Sequence, residues 1–167
     1  MATLAEVVQL AERAHAGQVD KLGVPYVEHL RAVADGLAPF GEQAQMAGWL
    51  HDALEDTPLT AADLLAAGVP AAVVAAVQAV TTVPGGDYQE RIRAVTADPL
   101  ATLVKVSDNA HNSHPDRTAA LGAEQRERLA AKYLAARQVL WAAADRADVA
   151  AILERVNPSL LAELPPV

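Results

Sequence analysis

The chain has 167 residues, 52% of them hydrophobic and 20% charged, with no cysteine and a formal net charge of −8. A domain of that size can bury a core, while disulfides and Cys-ligated zinc or iron–sulfur centres are excluded, so any bound metal must be held by His, Asp or Glu. The acidic balance opposes a nucleic-acid polymer as partner. No apolar run reaches the roughly 18 residues of a membrane span, and Glu6 stands where a secretory leader carries positive charge, so the expectation is a cytoplasmic protein with no membrane partner.

Alanine is the commonest residue and aromatics make up only 4%, which favours close-packed helices over strands; the expected class is all-α. Leu4, Val7, Val8, Leu10, Ala11 and Ala14 recur at helical spacing, and Thr3 with Glu6 forms a capping-box pattern, so a helix is predicted over 3–14. Gly17 and Gly23-Val24-Pro25 break it. A second helix is predicted over about 29–37, closed by Pro39 and Gly41, and a third over 42–54 with Met46, Ala47, Trp49 and Leu50 inward. Thr60 with Asp63 caps a short fourth, ended by Gly68. Pro70 then opens a nearly polar-free run, 71–80, expected to be a central helix. Pro84-Gly85-Gly86 reads as a loop, 88–95 as a helix, and Asp98-Pro99 as the start of one running through Leu103, Val104 and Val106. Residues 111–118 read as a connector, about 123–144 as a long helix, and a last piece reaches Val156. The expectation is a single domain, 1–156, of seven to nine helices with its motifs inside 14–112, followed by an irregular tail, 157–167.

Polar residues interrupt this apolar pattern in three places. His51-Asp52 and Glu55-Asp56 leave one end of the third helix, where i,i+4 spacing would stack His51 with Glu55 and Asp52 with Asp56. A His-Asp pair alone is close to chance, but Ala47, Trp49, Leu50, Ala53 and Leu54 bury this helix, and buried carboxylates are costly unless paired or metal-bound. A solvated helix end is the plainer reading. His29, in Tyr26-Val27-Glu28-His29-Leu30, is by itself more often a satisfied or exposed histidine than a ligand. Asp108 would pass for a polar residue at a helix C-terminus, although an acid there opposes the dipole. A divalent cation held by His29, His51, Asp52 and Asp108 accounts for all three, with two imidazoles and two carboxylates drawn from three helices. Such a cation polarises a phosphoryl oxygen and lowers the pKa of water, leaving Glu55 to orient or deprotonate the water and Asp56 to assist proton transfer. Lys21, Arg31, Lys105, Arg117 and Lys132 are the cations nearest these blocks in sequence.

The order His…His-Asp…Asp resembles the HD superfamily of metal-dependent phosphohydrolases. The blocks Ala14-His15-Ala16-Gly17-Gln18, Gly23-Val24-Pro25-Tyr26-Val27-Glu28-His29, Leu50-His51-Asp52-Ala53-Leu54-Glu55-Asp56-Thr57 and Lys105-Val106-Ser107-Asp108-Asn109-Ala110-His111-Asn112 resemble the hydrolase domain of Rel/Spo-type enzymes and the stand-alone small alarmone hydrolases. The resemblance covers roughly residues 5–115 and continues more weakly through the long C-terminal helix. It implies an all-α HD domain, Mn²⁺ as the metal, and removal of the 3′-pyrophosphate of guanosine tetraphosphate. It further implies His29, His51, Asp52 and Asp108 as ligands, Glu55 and Asp56 as the water-handling acids, and Asn112 as a ribose-side contact; Lys21, Tyr26 and Lys105, within or beside the same blocks, are the other expected substrate contacts. One position departs: Asp20 stands where those enzymes usually carry an arginine that packs on guanine. A carboxylate gives no cation–π stacking and repels phosphate, so guanine recognition is expected to be weakened, with Lys21 taking part of the role, and Asp20→Arg to improve binding of guanosine tetraphosphate. Two alternatives stay open, a phosphatase or phosphodiesterase for a different nucleotide and a non-catalytic helical binding module.

Overall fold

Capping fixes the start of the first helix. In a computed structural model that describes residues 1–166, the Thr3 hydroxyl accepts from the Glu6 amide and the Glu6 carboxylate accepts from the Thr3 amide at 2.8 Å, opening α1 (Leu4–Ala14). Then follow α2 (Val27–Gly36), a 3₁₀ turn (Ala38–Phe40), α3 (Glu42–Leu50), α4 (Ala53–Asp56) and α5 (Ala61–Ala66), the last opened by the Thr60–Asp63 box. The chain continues through α6 (Ala71–Val80), α7 (Tyr88–Val95), α8 (Pro99–Asn112), α9 (Pro115–Thr118), α10 (Ala123–Ala142), α11 (Arg146–Val156) and a second 3₁₀ turn (Pro158–Glu163). The class is all-α: the described residues contain no strand beyond an isolated bridge, Val19 to Pro25. None of their helices is long and apolar enough to cross a membrane.

α8 is the axis of the packing, meeting α2, α3, α6, α7, α10 and α11. Its approach to α2, and that of α3 to α2, rest on two glycines. A Cβ at Gly48 would stand 2.8 Å from the Ala34 Cα of α2, and one at Gly36 would meet Ser107 of α8 and Val156 of α11. The buried polar side chains of α8 tie it to its neighbours: Ser107 donates to the Val33 carbonyl (2.8 Å) and Asn109 to the Tyr133 carbonyl (3.0 Å), while Asn157 donates to the Ala110 carbonyl (2.9 Å). These bonds satisfy groups whose burial would otherwise cost stability.

The structure departs from the sequence reading at five points. The third helix stops at Leu50, because Asp52 takes a non-helical conformation (φ −102°, ψ 1°) before α4 begins; the continuous 42–54 helix does not form. Residues 111 and 112 belong to α8, and 115–118 form the single turn α9, so the connector is only a short break. The 71–80 helix is not central: Val73, Val74, Ala76, Val77 and Val80 are buried, but Ala71, Ala72, Ala75 and Ala79 face outward. Alanine exposes so little apolar area that it tolerates either side. The tail is not irregular through Glu163: Leu160 is buried, and Arg137 grips the Glu163 carboxylate with two bonds of 2.7 and 2.8 Å. The eleven helical segments exceed the seven to nine expected because α4 and α9 are single four-residue turns.

Candidate metal centre

Three helices deliver one cluster. His29 lies in the first turn of α2, His51 caps the C-terminus of α3, and Asp108 sits about one turn before the C-terminal end of α8. All three are buried, and one donor atom from each lies within 4.8 Å of the others. His29 Nε2 is 3.2 Å from Asp108 Oδ1 and 3.2 Å from His51 Nε2. The Asp52 carboxylate joins them, Oδ2 being 3.0 Å from His51 Nε2 and 3.8 Å from His29 Nε2. The break in the helix at Asp52 therefore has a local cause. Its side chain is held by the imidazole of His51 and by the Tyr26 hydroxyl, which donates at 2.6 Å, so the carboxylate turns into the cluster and the backbone turns with it.

The outward nitrogens of the histidines decide what the inward ones offer. His51 Nδ1 is 2.7 Å from the Gly48 carbonyl, which can only accept, so Nδ1 carries the proton and the neutral ring presents a lone pair at Nε2. His29 Nδ1 is 2.7 Å from His111 Nδ1, a hydrogen bond that fixes the His29 ring plane and in which either ring can donate. Two imidazole nitrogens then face each other between two carboxylate oxygens. That geometry is repulsive unless a proton or a cation stands among them, and the donor set, two nitrogens and two oxygens, suits a first-row divalent ion.

The electrostatics follow from burial and proximity. Burial disfavours the His51 imidazolium, but Asp52 and Asp108 outweigh it and hold the group well above the usual histidine range. Burial and the neighbouring His51 push His29 down, and burial with His29 pushes His111 to about 3. Burial would raise the Asp108 carboxyl, yet Lys105 and the two histidines pull it far below the carboxylate range. Asp52 is lowered, against its burial, by His51. Asp56 is raised by partial burial, then by Asp52 and Glu55.

Around the cluster, Lys105 Nζ donates to Asp108 Oδ2 at 2.7 Å, and Asn112 Nδ2 donates to Asp108 Oδ1 at 2.8 Å. Both therefore hold the Asp108 carboxylate, as Tyr26 holds that of Asp52. The Glu55 carboxylate accepts the Thr82 backbone N–H at 2.6 Å, and Gln18 donates to the Asp56 carbonyl at 2.9 Å. Lys21 is exposed on the rim of a cleft of about 320 Å³ whose wall includes Tyr26 and Asn112. Lys132 places its ammonium 4.2 Å from the Tyr88 ring centre. Arg31 pairs with Glu28 at 2.9 Å, with no bond to the cluster.

Asp20 corrects a sequence expectation. Its side chain is 10% exposed: Oδ1 accepts from the Leu22 and Val24 amides (2.8 and 3.0 Å), and Oδ2 pairs with Arg117 Nη1 at 3.3 Å. It does not stand as an unpaired charge against an anion, because Arg117 and two main-chain amides already hold it. Of the three histidines that the sequence reading gives no role, His111 and His15 lie beside the cluster or its Tyr26 support. His111 would have shown itself by its i+3 spacing from Asp108 had the helix been extended past 110. His15, fully buried, stacks on Tyr26 at 5.6 Å and lies 2.8 Å from Gln18 Oε1 through Nδ1; a buried histidine inside a glycine-ended motif was its only signal.

A scan of known family models matched none to this chain. The chain is 35% identical over 114 residues, 62% of its length, to a GTP pyrophosphokinase of Streptomyces coelicolor. It is 34% identical over 116 residues to a guanosine-3′,5′-bis(diphosphate) 3′-pyrophosphohydrolase of Haemophilus influenzae, and 32% identical over 121 residues to the bifunctional (p)ppGpp synthase/hydrolase SpoT of Escherichia coli. The chain spans only 14 to 17% of the length of these relatives. Among solved structures, a metazoan ortholog of SpoT described as hydrolysing ppGpp superposes with a TM-score of 0.70 at 23% identity, covering 98% of this chain and 96% of that one. The resemblance to Rel/Spo-type proteins read from the motif blocks holds in sequence, and the fold of that metazoan protein matches nearly the whole chain.

Proposed function

We propose that the chain is an HD-type, metal-dependent phosphohydrolase that cleaves the 3′-pyrophosphate from guanosine tetraphosphate, with Mn²⁺ as its metal and His29, His51, Asp52 and Asp108 as ligands. The observation that carries this reading is the convergence of His29, His51 and Asp108 donor atoms within 4.8 Å of one another, in motif blocks resembling those of relatives named for (p)ppGpp hydrolysis. When bound there, the metal supplies Lewis-acid polarisation of a phosphoryl oxygen and a lowered pKa for the attacking water.

The protein's own groups do the rest. Tyr26 fixes the Asp52 carboxylate and Asn112 the Asp108 carboxylate, so neither ligand has to be ordered on binding. Lys105 compensates the charge of Asp108. Glu55, oriented by the Thr82 amide through one oxygen, keeps its other oxygen to take a proton from water. Asp56, whose carboxyl is held above its usual range, is the group of the pair better suited to return one to the leaving pyrophosphate. Lys21, on the rim of the adjoining cleft, meets phosphate charge.

The test is a nucleotide panel with Mn²⁺ added, scored separately for orthophosphate and pyrophosphate. Guanosine tetraphosphate should yield guanosine diphosphate and pyrophosphate in equal amounts. Orthophosphate as the main product, or faster turnover of a different nucleotide, would move the assignment to a phosphatase or phosphodiesterase.

A further inference from the structure

The cleft beside the cluster has a cation that the loop sequence does not explain. Asp20 closes the 18–26 loop by accepting two amides through Oδ1, and its Oδ2 reaches Arg117 on α9, 97 residues away in the chain. The Arg117 guanidinium is 22% exposed and lines the cleft. Only Nη1 is bonded among the described residues, so Nε and Nη2 keep their donors. The salt bridge leaves a paired, charge-compensated guanidinium that still presents N–H groups. Leu22, Leu121, Leu129 and the Tyr133 ring supply the apolar walls.

We propose that Arg117, positioned by Asp20, is the specificity-determining residue of this cleft and reads the acceptor edge of a guanine base. Two arguments favour a base over phosphate. Asp20 cancels the net charge that would attract an anion, whereas a neutral base with two adjacent acceptors, O6 and N7 of guanine, matches the donor fork of a guanidinium. Beside the guanidinium, Leu22, Leu121, Leu129 and the Tyr133 ring form an apolar part of the wall, which a base face can pack against and a phosphate cannot use. An adenine edge offers a donor, its amino group, where guanine offers O6, so it matches the fork poorly. The guanidinium thus enters from α9 instead of from the loop, and Asp20 is a positioning residue. The inference rests on the nucleotide reading above and names the base of that substrate.

Equilibrium binding separates the two. Guanosine diphosphate, adenosine diphosphate and inorganic pyrophosphate are titrated into the full chain and into its Arg117→Met, Arg117→Lys and Asp20→Arg variants, with hydrolysis of guanosine tetraphosphate followed in parallel. The wild type should prefer guanosine diphosphate. Arg117→Met should weaken that ligand about ten- to a hundredfold and leave the other two nearly unchanged. Arg117→Lys should fail to restore it, since an ammonium lacks the fork. Asp20→Arg should weaken it as well, by repelling Arg117 and removing the acceptor of the loop amides; tighter binding in that variant would overturn the proposal and return base reading to the loop. Equal losses for pyrophosphate would make Arg117 a phosphate ligand, and unchanged guanosine diphosphate binding in Arg117→Met would remove it from the site; either result overturns the inference while leaving hydrolysis standing. If guanosine diphosphate binding depends on Arg117 but guanosine tetraphosphate is not hydrolysed, the functional reading fails and the base-reading residue remains. No guanine preference in the wild type overturns the inference directly.

Discussion

α6 and α8 invert what their compositions suggest. α6 is almost free of polar residues, yet four of its alanines face outward. α8 carries Lys105, Ser107, Asp108, Asn109, His111 and Asn112, yet it is the helix around which the others pack. The difference lies in what each polar group meets. Ser107 and Asn109 bond main-chain carbonyls of neighbouring segments, and Lys105 and Asn112 bond Asp108, so burial costs α8 little while fixing its orientation. Centrality in a small helical fold is set by satisfied polar partners as much as by apolar content.

Breaking that pattern at its most connected point should have the largest effect. Asp108→Ala removes a proposed ligand and also leaves the mostly buried Lys105 ammonium without its carboxylate, a loss on the scale of about 3–5 kcal/mol for a broken buried pair. Elemental analysis should find metal at background, hydrolysis should vanish, and the melting temperature should fall. The double variant Lys105→Met/Asp108→Ala should recover much of the stability and none of the metal; full occupancy in either variant would remove Asp108 from the ligand set. Next in size is Glu55→Gln, which keeps an acceptor for the Thr82 amide and removes only the basic oxygen. Turnover should drop by about 10²–10⁴-fold with metal content unchanged, and wild-type turnover would transfer the role to Asp56. The smallest effects sharpen the comparison itself. Ala75→Gln on the outer face of α6 should alter stability by no more than about 0.5 kcal/mol, whereas Ala110→Gln in α8 should cost about 1–3 kcal/mol or more by overpacking, as read by denaturant midpoints.

Much of the fold is local in origin, and that part is legible in the sequence. Thr3 with Glu6, Thr60 with Asp63, and the single caps Asp87 and Asp98 each mark a helix start through a side chain and an amide three residues on. His29, His51 and Asp108 could be grouped for a similar reason, since polar residues stand out against an apolar pattern. What the chain hides is produced by partners distant in sequence. The break at Asp52 depends on Tyr26, and the burial of Asp20 depends on Arg117. The full length of α8 was obscured by its own polar residues, since His111 and Asn112 look like loop until His29 and Asp108 are set beside them.

The bond from the Thr82 amide to Glu55 has an evolutionary side. The donor belongs to the main chain, so nineteen of the twenty amino acids at position 82 would supply it, and only proline would not. Drift in side chains along the segment after α6 therefore leaves the acid aimed. Insertions and deletions there do not, because they move the amide itself. Among descendants of this sequence, position 82 should vary freely except to proline, and the 81–87 segment should be conservative in length.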